Sequence, residues 1–177
     1  MDHADHVRLL AGAIRQGEGG TWADLGAGEG AFTLALADLI GPHGDIDAID
    51  RDSAALAELR AAAVSSVPQS TIRTRVADFT KPLDLRELDG IVMANSLHFV
   101  EEKSPVLARV RGYLRRGGRF ILVEYDSDRG NPWVPHPLTF ETWRALAEDA
   151  GFVETRKLAT VPSRFLRRIY SALSLAP

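Results

Sequence analysis

Five short apolar stretches alternate with helix-spaced apolar positions along most of this chain. That alternation constrains the fold more than any other feature of the sequence. Val7, Leu10, Ala11 and Ile14 stand at helical spacing, and Gly17 can end that first helix. Residues 21–25 (TWADL) then read as a short buried strand. Phe32, Leu36, Leu39 and Ile40 form one face of a helix that stops at Gly41-Pro42. Residues 45–50 (DIDAID) give a second strand, and Leu56, Leu59 and Ala63 mark a helix followed by Pro68. Residues 71–76 (TIRTRV) and 90–95 (GIVMAN) are the third and fourth strands. Ser104 reads as an N-cap with Pro105 at the first helical position. Leu107, Val110 and Leu114 carry that helix to Gly117-Gly118, and residues 119–125 (RFILVEY) form the fifth strand. Residues 126–137 are a Pro-, Asp- and Gly-rich loop. Thr139 caps a last helix bearing Phe140, Trp143, Ala147 and Ala150, which Gly151 stops. Residues 152–160 and 163–173 read as two final strands.

Strands that alternate with helices imply an α/β fold: a doubly wound, mostly parallel sheet covered on both faces. No repeat, low-complexity segment or linker interrupts the pattern, so residues 1–177 read as one domain. In such a sheet the ligand lies beyond the carboxyl ends of the strands, where the strand order reverses. The ends of the first, second, fourth and fifth strands are therefore where chemistry is sought.

The glycine turn narrows that search. DLGAGEGAF, residues 24–32, places Gly26, Gly28 and Gly30 between the first strand and the helix after it. A dinucleotide fingerprint spaces its glycines G-x-G-x-x-G, whereas here Ala31 stands three residues after Gly28. Ala31 still permits close helix packing, so spacing alone leaves a nicotinamide dinucleotide open. Asp24 argues against it more strongly, because a carboxylate there repels a pyrophosphate and attracts an ammonium group. Glu29 adds a second acid to the turn, and no G-K-[ST] follows, so a P-loop is absent.

ADLGAGEGAF resembles the first motif of the class I S-adenosylmethionine-dependent methyltransferases, whose cofactor carries no phosphate. The resemblance extends in register from residue 21 to residue 160. It implies that Asp24 faces the methionyl ammonium and that Gly26, Ala27 and Gly28 pass against the ligand. Asp50, at the end of the second strand and followed by Arg51, would take the ribose hydroxyls. Ala77-Asp78-Phe79 would bind the adenine, with Asp78 on its amino group. Asn95 opens the stretch Asn95-Ser96-Leu97-His98, similar to that of the small-molecule members such as the quinone and sterol methylases. The implied fold is the Rossmann-like sheet of strand order 3-2-1-4-5-7-6, with an antiparallel strand near its C-terminal end. The implied cofactor is S-adenosyl-L-methionine, with S-adenosyl-L-homocysteine as product.

His98, after the fourth strand, is the candidate general base; its alternative is a pocket-lining or packed imidazole. Tyr125, Trp133 and His136, in or beside the loop after the fifth strand, are candidate substrate contacts, with plain packing as the alternative. His3 and His6, near the N-terminus, read as inert. Glu124, Asp126 and Asp128 are a conceivable magnesium set, but a solvated acidic turn explains them better, so no metal is expected.

A net charge of −3 gives no general attraction to nucleic acid or anionic membrane. Two basic clusters, Arg109 to Arg119 and Arg156 to Arg168, hold one aromatic residue each, Tyr113 and Phe165, and so lack a series of interleaved aromatic platforms. The chain contains no cysteine, which excludes disulfides and thiolate chemistry and fits a reducing, cytoplasmic setting. No apolar run approaches the roughly 20 residues of a membrane-spanning helix, and the charged residues among the first 20 argue against a signal peptide. The expected partner is a small-molecule acceptor, with a homodimer as a candidate assembly. Residues 1–19 are a helical segment able to act as a partial lid. The competing readings are a cofactor-binding module without catalysis and an RNA methyltransferase.

Overall fold

The computed structural model describes residues 1–67, 69–163 and 165–177. Pro68, expected to follow the third helix, and Arg164, in the C-terminal basic cluster, lie outside them. The elements run α1 His3–Ala11, β1 Gly20–Leu25, α2 Ala31–Ile40, β2 Gly44–Asp50, α3 Ser53–Ser66, β3 Thr71–Val76 and β4 Leu88–Ala94. A 3₁₀ turn, Leu97–Phe99, follows β4. Then come α4 Ser104–Tyr113, β5 Leu114–Tyr125, α5 Phe140–Asp149, β6 Val153–Pro162 and β7 Arg168–Leu175. They build one seven-stranded sheet of order β3-β2-β1-β4-β5-β7-β6, the order that the resemblance implies. β1 to β5 are mutually parallel, while β7 runs antiparallel to both β5 and β6.

Alternation along the strands explains the layers. Phe120 and Leu122 of β5 face the core that holds Leu107 of α4 and Trp143 of α5. Ile121 and Val123 face the opposite core, with Leu9 and Leu10 of α1 and Leu36 of α2. Successive side chains point to opposite faces, so a strand covered on both sides is apolar at every position. β1 follows the same rule: Trp22 faces the α2 side and Ala23 the α4 side. Asp24 breaks the apolar run although it is only 1% exposed.

Several boundaries differ from those expected. α1 ends at Ala11 with Gly12 as its C-cap, before Gly17. Ser104 is the first helical residue and caps nothing; Lys103 holds the N-cap position without a side-chain capping bond. α4 stops at Tyr113 because Leu114 already pairs with Leu88, so β5 starts before the Gly117-Gly118 pair. β7 begins at Arg168 instead of residue 163; Ser163 accepts no place in the ladder and bonds back to Arg167 and Phe165.

The β1–α2 and β4–3₁₀ junctions meet at the switch point, where β1 lies between β2 and β4. A hydrogen bond from Ser96 Oγ to the Leu25 carbonyl, 2.7 Å, ties the two junctions together.

Candidate functional site

Two adjoining cavities follow the glycine turn. The first, of about 410 Å³, is bordered by residues that include Gly28, Asp50, Asp78, Phe79, Phe99 and Val100, with Arg51, Ala77, Asn95 and Ser96 also on its walls. The second, of about 390 Å³, is bordered by His6, Asp24, Ala27, Glu29, Phe32 and Asn95. Gly26, Gly28, Ala55 and Asn95 border both, so the two form one cleft over the carboxyl ends of β1, β2 and β4. A third cavity, about 720 Å³, lies to one side between Tyr125, Pro162, Ser163, Phe165 and Ile169, and shares Met1 with the second.

The glycines divide the work of the turn. A side-chain carbon on Gly26 (φ 85°) would collide with Ser96, so this glycine lets β1 and the segment after β4 come together. A side-chain carbon on Gly28 (φ 54°) would meet nothing within 4 Å, so this one leaves the cleft open beside the backbone. Gly30 packs against Leu59 and brings α2 close to α3. Gly26 thus packs against the protein on one side while it borders both cavities of the cleft, as Gly28 does.

Two acids hold the turn. Asp50 Oδ2 accepts the N–H of Gly28 at 2.8 Å, and Oδ1 accepts the N–H of Asp52 at 2.9 Å. Asp24 accepts a bond from Thr33 Oγ1 at 2.6 Å through Oδ2, while its Oδ1 is buried without a protein partner. Burial pushes its carboxyl up to about 7, with Asp50 adding to the rise and the Thr33 hydroxyl opposing it. Asn95 Oδ1 is likewise buried and unpartnered, on a residue held in the left-handed region at φ 52°. A buried acceptor without a donor costs on the order of 1–3 kcal/mol, and two of them on one cavity wall are an arrangement a cationic ligand group would satisfy. Asp78 stands at the mouth, where its Oδ1 accepts the hydroxyl and N–H of Thr80 and those bonds hold its carboxyl below the usual range.

The wall chemistry fits S-adenosylmethionine. Asp24, Glu29, Asp50, Asp52 and Asp78 border the cleft and would repel a pyrophosphate.

His98 sits elsewhere. It is 3% exposed and borders neither cavity of the cleft. Its Nδ1 faces both oxygens of the fully buried Glu124, at 3.0 and 3.1 Å. Its carbonyl accepts the His136 N–H at 2.9 Å, so His136 serves here through its backbone. The imidazole joins β5, the 3₁₀ turn and the loop after β5, with its ring 4.3 Å from that of Phe99 and 5.8 Å from that of Tyr125. Trp133, 70% exposed, borders none of these cavities, and of the three candidate substrate contacts only Tyr125 lines one. Asp128 Oδ1 and Oδ2 accept bonds from Thr139, and among the described residues no acidic or histidine cluster has metal geometry. In the basic runs, Arg115 pairs with Asp89 and Arg119 with Glu18. No helix among the described residues is long and apolar enough to cross a membrane.

His6, Ser96 and Phe99 were not legible as cleft residues. The available signal for His6 is its spacing: it lies four residues before Leu10, on the face of α1 that turns inward.

Residues 23–120, more than half of the chain, match the family model described as a methyltransferase domain. No curated protein matches the sequence. Among solved structures, an arsenic(III) S-adenosylmethionine methyltransferase from Chlamydomonas reinhardtii superimposes with a TM-score of 0.73 at 19% identity, over 92% of this chain and 65% of that one. A SAM-dependent methyltransferase from Aquifex aeolicus gives 0.73 at 16% identity over the full length of both. The carbon methyltransferase CurJ gives 0.73 at 18% identity, over 93% of this chain and 50% of that one. At these identities the likeness is one of fold. The chain spans less than two thirds of the algal and CurJ proteins.

Proposed function

The chain belongs to the methyltransferase-domain family, and from that premise we propose that it moves a methyl group from S-adenosylmethionine to a small-molecule acceptor. The two unpartnered acceptors, Asp24 Oδ1 and Asn95 Oδ1, carry this reading. They stand in the cavity that would take the amino-acid end of the cofactor, beside the one suited to its nucleoside. Asp50 would receive the ribose hydroxyls, since each carboxylate oxygen keeps acceptor capacity beyond its bond to the backbone. Asp78 and Phe79 would hold the adenine.

Bound S-adenosylmethionine would supply an electrophilic methyl on a sulfonium. The residues of this chain then have to orient that group and keep water from it. The acceptor would approach from the large cavity bounded by Tyr125, Phe165 and Ile169, whose wall at Met1 is shared with the amino-acid end of the cleft. Its lining favours an acceptor with an apolar body. His98, paired with Glu124, would hold the segment after β4 in place instead of taking a proton from the acceptor.

Calorimetric titration with S-adenosylhomocysteine tests the reading. Micromolar binding is expected, and no heat at millimolar ligand would sink it. Binding together with failure to turn over any acceptor would favour a module that retains the ligand without catalysis.

A further inference from the structure

The amino-acid end of S-adenosylmethionine carries a carboxylate as well as an ammonium. Asp24 Oδ1 and Asn95 Oδ1 are unpartnered acceptors suited to the ammonium, and Glu29 adds another acid. Among the described residues that border this cavity, the only side chain able to carry positive charge or donate to an anion from a ring nitrogen is His6. Its ring is half-buried and rests on Phe32, the second residue of α2, with centroids 4.7 Å apart. α1 is anchored beneath it by Leu9 and Leu10, both fully buried, so the ring is presented by a fixed helix.

We infer that His6 binds the carboxylate of the ligand's amino-acid group, making α1 one jaw of the cofactor site and the β1–α2 turn the other. The inference rests on the proposed cofactor.

The charges around His6 set how this works. Burial holds the imidazole below its ordinary value, and the N-terminal ammonium and His3 lower it further, while Asp5 and Asp2 oppose them. Asp24 and Glu29 stand on the same cavity, and Asp38 of α2 is occupied by His3 at 2.6 Å. Neither β6 nor β7, which also pack on α1, brings a charge acting on His6 among the described residues. In the free protein near neutrality His6 is therefore mostly uncharged and Asp24 is partly protonated. The bound zwitterion favours the opposite state of each group: an ionised Asp24 and a protonated His6. Affinity should consequently peak near neutrality and fall on both sides.

The test compares S-adenosylhomocysteine with methylthioadenosine, which has the nucleoside and thioether but no amino-acid group. In His6→Ala and His6→Gln, S-adenosylhomocysteine should bind about tenfold more weakly, the size of one charge-assisted contact. Methylthioadenosine should bind as it does to the wild type. The fall in affinity that sets in just above neutrality should also vanish, leaving only the later fall caused by deprotonation of the ligand's own ammonium. Undiminished S-adenosylhomocysteine affinity, or equal loss for both ligands, would overturn the role of His6. If the wild type binds neither ligand, the cofactor reading itself falls, and this inference with it.

Discussion

Gly28 donates its backbone N–H to the carboxylate of Asp50 at 2.8 Å, which locks the glycine turn after β1 to the end of β2. The acid that would hold the ribose thus also shapes the loop against which the ligand lies. Specificity and local architecture depend on the same side chain.

Asp50→Ala should therefore fail in two ways. Two backbone donors lose their acceptor, which should lower stability by about 1–2 kcal/mol. Loss of a bidentate charged contact should also weaken S-adenosylhomocysteine by about 30-fold or more. Thermal unfolding and calorimetry read the two effects, and an unchanged dissociation constant would contradict the ribose role.

Asp24→Asn should stabilise the empty protein while weakening the ligand. The folded carboxyl titrates at about 7, whereas an unfolded aspartate titrates at about 3.9. Between those values the folded state holds a proton that the unfolded state has released, so stability falls as pH rises through that window and stays lower above it. The asparagine variant should match the wild type near pH ~4 and exceed it at pH ~8, by at most about 4 kcal/mol. Urea unfolding at the two pH values checks the sign. S-adenosylhomocysteine affinity in the variant should lose its rise toward neutral pH.

Alanine at Gly26 and at Gly28 should separate folding from binding. Gly26→Ala drives a methyl into Ser96 at the β1–β4 junction, and about 2 kcal/mol or more of stability should be lost. Gly28→Ala meets open space and has only a left-handed backbone to accommodate, at roughly 1 kcal/mol. Its main effect should be on ligand affinity. Equal destabilisation by both substitutions would refute this division.

His98 and Glu124 should behave as a structural couple. Removing either partner leaves a buried polar group uncompensated, so His98→Ala and Glu124→Ala should each cost about 3–5 kcal/mol. Replacing both by apolar residues, His98→Leu with Glu124→Met, should cost less than the two single losses added. A double-mutant cycle by denaturant unfolding measures that coupling. A stable, folded His98→Ala protein that binds ligand but has lost turnover would restore the base.

The alternation of strands and helices was legible because it depends on periodicity, which a sequence carries directly, whereas the order of the strands in the sheet came only from the family resemblance. α2 and β3 follow their apolar or alternating residues almost to the boundary. The start of β5 at Leu114 was not legible, because only its pairing with Leu88 turns a helical spacing into strand. Asp24, Asp50 and Asn95 were readable from their places at strand ends. The burial of His98 was not, since it depends on Glu124, which reaches it from a neighbouring strand 26 residues later in the sequence. His6 was missed for a similar reason: its significance comes from Phe32 and the turn, across a helix–helix contact.

The sheet leaves two strands, β3 and β6, with a neighbour on one side only. Unpaired backbone groups on such strands are a template for addition of another chain and hence for aggregation. β3 carries Arg73, held across the strand by Asp45 and Asp47, together with Arg75. β6 carries Glu154, Arg156 and Lys157. These residues contribute little to the core, yet they make each edge costly to desolvate and repulsive to its own copy. Neutralising them would shorten the time the molecule stays in solution.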